Sequence, residues 1–126
     1  MFHLTVRDHV MIAHSLPHPA FGPAQNLHGA TYVVELTLWR ESLSDESIVI
    51  DIGEATNVLK QALGDLNYRN LDEHSELAGT LSTTEAVARL IAQRVATSLA
   101  DRDLSKLDVT LREHPDAWAG YTMTLE

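Results

Sequence analysis

The spacing of apolar residues switches twice along this chain, and that switch limits the fold more than any single motif. In residues 2 to 14, Phe2, Leu4, Val6, Val10 and Ile12 share one face at a period of two, with Asp8 interrupting the series and His14 ending it. In "HGATYVVELTLW", Tyr32, Val34, Leu36 and Leu38 face one way, Thr31, Glu35 and Thr37 the other, and His28 has the parity of the apolar set. Period two is the mark of a half-buried strand, and the interruption at Asp8 predicts a bulge there.

The middle of the chain changes period. "EATNVLKQALGDL" places Val58, Leu59, Ala62, Leu63 and Leu66 at helical spacing, predicting an amphipathic helix over 54–66. "STTEAVARLIAQRVATSLA" predicts a second, with Val87, Leu90, Ile91 and Val95 as its stripe and Ser82 and Glu85 spaced as a capping box. Alternation returns in "LDVTLRE" and "GYTMTLE", with "HPDAWA" as a long hairpin loop. "SLPHPAFGPAQN", with three prolines and a glycine, and "NYRNLDEHSELAGTL" are connections. The order ββααββ predicts an α+β fold: a four-stranded antiparallel sheet covered on one face by two helices.

At 126 residues, 44% hydrophobic and 21% charged, the chain fits one domain spanning 1–126 around one core. It has no cysteine, which excludes disulfides, thiolate metal sites and a cysteine nucleophile together. The formal charge is −9 with no run of Lys or Arg, which argues against a nucleic-acid partner. No apolar run approaches the roughly 18 residues of a membrane span, and the N-terminus lacks a secretory layout, so no membrane partner and a cytoplasmic location are expected.

Strand parity nominates the chemistry. If the first two strands are neighbours, His14 and His28 converge, and neutral imidazole is a good zinc ligand. A catalytic zinc takes three protein ligands, so this pair is one short, with His18 in the proline-bounded loop as a weak third. Asp72, Glu73 and His74 fall in one short loop, where an Asp and a His can form a proton relay or simply make a solvated acidic turn. Glu113 follows the parity of Leu107, Val109 and Leu111, so it points inward at a strand end, where a carboxylate needs a partner. A ligand offering two N–H donors, such as the edge of a pterin or guanine, would serve, as would neighbouring backbone.

Taken in order, "IAHSLPH", "LHGATYVVEL", "IVIDIGEATNVLK", "NLDEHSEL", "STTE" and "LRE" resemble the motifs of the 6-pyruvoyltetrahydropterin synthase and 6-carboxytetrahydropterin synthase family, over nearly the whole chain. The resemblance implies the tunnelling fold, a dihydropterin ligand such as dihydroneopterin triphosphate, zinc held by three histidines, and a cysteine working with an Asp-His pair. It implies metal ligation by His14 and His28, proton transfer at Asp72 with Glu73 or His74, and pterin contacts at Thr83, Glu85 and Glu113. It also implies a homo-oligomer, commonly a hexamer.

The departures fall on the chemistry: Ala30 stands where the family's second strand histidine would be, Ala24 near the cysteine, Glu73 at the relay histidine, and His74 one position late. Alanine neither coordinates zinc nor accepts a proton. The zinc ligand set is therefore incomplete. Three readings follow: a pterin lyase with a rebuilt site, a pterin- or purine-binding module without catalysis, or a structural homologue.

Overall fold

The computed structural model describes residues 1–125, which form a five-stranded sheet in the order β3-β1-β2-β4-β5. β1 (Phe2–His14) and β2 (His28–Arg40) pair antiparallel in one register, from Phe2 opposite Arg40 to His14 opposite His28. Burial explains the register. Val6, Val10 and Ile12 of β1 and Tyr32, Val34, Leu36 and Leu38 of β2 are buried on the same face, and a one-residue slip would turn all of them to solvent. The bulge expected at Asp8 is absent: Asp8 pairs with Val34 in the unbroken ladder, and its carboxylate accepts the His9 N–H at 2.8 Å.

β4 (Lys106–His114) pairs with β2, and β5 (Ala117–Thr124) with β4, both antiparallel. The hairpin is tighter than the sequence suggests, because pairing resumes at Ala117 and only Pro115 and Asp116 form the turn. His114 Nδ1 accepts the Asp116 N–H at 3.1 Å and so closes that turn. The register shifts between Arg112 and His114, leaving Glu113 without a cross-strand partner. Such irregularities re-aim a side chain where a strand ends.

A short fifth strand corrects the expected four-stranded antiparallel sheet to a mixed one. β3 (Arg69–Asn70) runs parallel to β1, with Ile12 opposite Arg69 and Ala13 opposite Asn70. Tyr68 steers the chain into it at φ 60°, donating its N–H to Met11 O at 2.6 Å. A left-handed non-glycine residue costs about 1–2 kcal/mol, which the ladder bonds offset.

The helices begin where side chains cap them. α1 (Ile52–Leu63) starts two residues before the predicted boundary because Asp51 accepts the Glu54 N–H at 3.0 Å. Its predicted last residue, Leu66, is fully buried in the turn that follows, so the apolar stripe outlasts the helix. α2 (Thr84–Ser98) is capped by Thr83, whose hydroxyl accepts the Ala86 N–H at 3.2 Å, in place of the expected Ser82. Short 3₁₀ turns occupy 19–25, 71–73 and 75–77.

α1 packs over β1 and α2 over β4 and β5, closing one hydrophobic cluster against the inner face. The outer face is polar: Thr5 bonds Thr37, and Arg7 and Arg112 both reach Glu35. Those two guanidiniums, Arg7 foremost, hold the Glu35 carboxyl below its ordinary range against a smaller effect of burial. Among the described residues no helix is long and apolar enough to cross a membrane. The inner face runs out of hydrocarbon at one end of the sheet, where β1 ends, β2 begins and β4 turns.

Candidate metal centre and adjoining cleft

At that end the β1–β2 register sets two imidazoles side by side. His14 and His28 are directly paired, with ring centroids 4.6 Å apart and planes at 61°. His14 is 1% exposed. Its Nδ1 lies 2.9 Å from Ser82 O and 3.1 Å from Ser82 Oγ. A carbonyl oxygen can only accept, so Nδ1 carries the proton and Nε2 the lone pair. His28 repeats the arrangement, with Nδ1 2.8 Å from Asn26 O. Both rings are thus held by backbone in the tautomer that leaves Nε2 free, the second-sphere support typical of ligating histidines.

Burial also disfavours the charged form of His14. Desolvation is the largest influence and pushes its pKa below 6.5, with His28 adding to the effect, while the Ser82 carbonyl, Glu113 and Asp72 oppose it. Nε2 of His14 is enclosed and, among the described residues, has no hydrogen-bond partner. A buried lone pair left without a donor is costly in an apolar setting, and a bound cation would satisfy it. The residues present therefore fit a zinc ion.

Glu113 approaches from β4. One ring nitrogen from each histidine and one oxygen of its carboxylate lie within 4.8 Å of one another. Thr84, the first residue of α2, donates its hydroxyl to Glu113 Oε2 at 3.1 Å. Tyr32, on the same face of β2 as His28, is fully buried, with its hydroxyl near the Thr84 side chain. Burial first, and then the negative charge of Glu113, push the Tyr32 phenol up to about 12. Beside the cluster opens a cleft of about 440 Å³, lined by Thr84, Glu85, Glu113, His114, Ala117 and Trp118. Arg112 lies over the Trp118 ring at 4.2 Å.

The other expected residues are not all brought here. Asp72 accepts the Ser15 N–H and, at 2.6 Å, the Ser15 hydroxyl, so it fastens the end of β1. His74 points elsewhere: its Nε2 lies 3.1 Å from Asp65 Oδ2 and its Nδ1 accepts the Glu76 N–H. Arg94 bridges Asp65 and Glu76 in the same network and, with His74, draws the Asp65 carboxyl down to about 2. Glu73 is exposed and borders that network. Asp72, Glu73 and His74 are thus consecutive in sequence but do not converge on one another. His18 caps the 19–25 turn by accepting the Ala20 N–H and, among the described residues, joins no cluster of possible ligands.

Thr83 is occupied as the α2 cap, while Glu85 is exposed on the cleft wall. Ala30 faces inward between His28 and Tyr32, opposite Ile12. Sequence reasoning passed over Ser82 as a support for His14, and over Tyr32, Thr84, His114 and Trp118. For Tyr32 the signal was available, since it shares the parity of His28.

A family model described as 6-pyruvoyl tetrahydropterin synthase matches residues 3–124. The 6-carboxy-5,6,7,8-tetrahydropterin synthase of Bacillus subtilis (strain 168) is 28% identical over 127 residues, covering 95% of this chain and 84% of that protein. Among solved structures, 6-pyruvoyl tetrahydropterin synthase from Caenorhabditis elegans aligns with a TM-score of 0.82 at 24% identity, covering 98% of this chain and 96% of its own. The enzyme of the same name from Plasmodium falciparum gives 0.80 at 16% identity, with 98% of both chains covered. These likenesses at low identity extend the agreement in fold across the whole described chain.

Proposed function

The chain belongs to the 6-pyruvoyl tetrahydropterin synthase family, and from that membership and the site geometry we propose that it is a zinc-dependent lyase acting on a dihydropterin such as dihydroneopterin triphosphate. The observation that carries this reading is the pair of imidazoles, each fixed through Nδ1 by a backbone carbonyl and each placing a ring nitrogen in one cluster with Glu113.

His14 and His28 would hold the metal, each ring fixed at Nδ1 by a backbone carbonyl. Zinc bound there supplies a Lewis acid that polarises substrate oxygen and makes neighbouring protons easier to remove. The cleft binds the heterocycle, with the exposed face of Trp118 as a stacking surface and Glu85 as an acceptor for ring N–H groups. His114 is the imidazole on the cleft wall. Because its Nδ1 accepts the Asp116 N–H, a neutral ring carries its proton on Nε2, the atom from which it would exchange protons with substrate.

A second reading has its own support: Ala24 and Ala30 carry no functional group, and Asp72 is committed to Ser15. That reading is a pterin-binding module without turnover. Incubating zinc-loaded protein with dihydroneopterin triphosphate, with chromatography of the products and calorimetry in parallel, separates the two. Turnover that disappears with chelator supports the lyase. Binding without turnover supports the module, and neither would defeat both.

Self-association accompanies either reading. Among the described residues β5 has a strand partner on one side only, and the outer edge of β1 is paired by strand at Ile12 and Ala13 alone, leaving backbone groups for a second copy. Light scattering is expected to give a homo-oligomer, with a hexamer as the family-like outcome. A monomer at micromolar concentration would contradict this.

A further inference from the structure

We propose that Glu113 is the third metal ligand, a carboxylate taking the place left by Ala30 and completing a two-histidine, one-glutamate site. This rests on the reading of His14 and His28 as metal ligands and goes further, because the resemblance assigns Glu113 to the pterin. Three independent observations point the same way.

The first is position. The Glu113 carboxylate lies within 4.8 Å of both histidine nitrogens, and among the described residues no other acidic or imidazole group joins that cluster. The other candidates are engaged elsewhere: Asp72 accepts from Ser15, and His18 accepts from Ala20. The second is the orphaned Nε2 of His14, enclosed in protein and, among the described residues, without a hydrogen-bond partner.

The third is how the carboxylate is held. Thr84 engages Oε2, which leaves Oε1 for a cation. The register shift that frees Glu113 from strand pairing is the local device that aims it. Outer partners of this kind orient a ligating carboxylate.

Two neutral imidazoles and one carboxylate form a known three-ligand catalytic zinc set with a fourth position left open. Since Glu113 also lines the cleft, a metal held there would border it. A carboxylate committed to the metal cannot at the same time accept two N–H groups from an aminopyrimidinone edge. Glu85, the other carboxylate on the cleft wall, takes that role. The bound heterocycle is then anchored at the start of α2 rather than at the end of β4.

The test is zinc affinity by competition with a chromophoric chelator, together with the visible spectrum of the cobalt(II) form. The proteins are wild type, Glu113→Gln, Thr84→Val and Glu85→Gln, each checked by circular dichroism in chelator. Glutamine keeps the volume of Glu113 and its acceptor for Thr84 but ligates poorly. Zinc affinity is expected to fall more than about 100-fold in Glu113→Gln, since losing even an outer partner costs about 10- to 100-fold. The cobalt spectrum should change with it. Thr84→Val should weaken zinc by about 10-fold, and Glu85→Gln should leave zinc unchanged while weakening binding of a dihydropterin. If Glu113→Gln does not fold, Glu113→Asp, which withdraws the oxygen by one methylene, should still shift the cobalt spectrum. Wild-type zinc affinity and spectrum in a folded Glu113 variant that has lost dihydropterin binding would overturn the assignment and leave the two-histidine reading standing. A wild-type protein that binds neither zinc nor cobalt would overturn both.

Discussion

Replacing His14 with alanine is expected to weaken zinc binding by at least about 100-fold, because it removes a ligand whose outer partners alone are worth about 10- to 100-fold. His14 is the most enclosed member of the cluster at 1% exposure, and its Nδ1–H satisfies the Ser82 carbonyl in the same buried space. The substitution therefore also leaves an acceptor unpaired, at a cost of about 1–3 kcal/mol to the metal-free protein. Two effects separate in one variant: competition titration reads the metal and urea unfolding in chelator reads the fold. Burial holds the His14 pKa below 6.5, so protons compete with metal only at a pH lower than an ordinary imidazole would allow. Unchanged zinc affinity in His14→Ala would remove this residue from the site.

The second large effect lies in the core. Leu36 sits at the middle of β2, fully buried, with Val6 opposite on β1 and Val109 opposite on β4. Strands on both sides and helices above leave little room for collapse into a void. Leu36→Ala is therefore expected to cost about 3–4 kcal/mol, in the upper half of the range for buried leucines. Against a typical stability of about 5–15 kcal/mol, that is a large fraction. Urea denaturation should show a lower midpoint with an unchanged slope. A loss below about 1 kcal/mol would mean that the sheet interior relaxes far more than its packing implies.

Period-two parity made the best of this site readable. His14, His28 and Glu113 each continue the parity of an apolar series on a strand, which nominated them, and the fold gathers them at one sheet end with His14 buried and Glu113 exposed. What parity cannot give is the identity of partners across the sheet end. Glu113 next to two imidazoles, and not only next to a ligand, depends on a register shift of one residue in a tight hairpin.

Where periodicity is missing, the sequence was silent or misleading. β3 has two residues and no alternation to detect. Ser82, Thr83 and Thr84 are three consecutive hydroxyls, any of which can cap a helix, and only tertiary packing gives the cap to Thr83 and His14 to Ser82. The 71–77 segment shows the limit most clearly. Proximity in sequence suggested a relay, but two successive 3₁₀ turns send Asp72 to Ser15 and His74 to Asp65. Short turns reorient side chains at every residue, so a loop has no parity to read.

By the resemblance of its motifs, the site departs from its family both in loops, near Ala24 and at Glu73, and on strand β2, at Ala30, while His14, His28 and Glu113 remain at strand ends. Metal binding at His14 and His28 is the claim on which the lyase reading depends.

It is tested most directly by elemental mass spectrometry of untagged protein purified without chelator, alongside His28→Ala. The account predicts about one zinc per chain in the wild type and none in the variant. Folded wild-type protein that carries no metal, and takes up none when zinc is supplied, would contradict it.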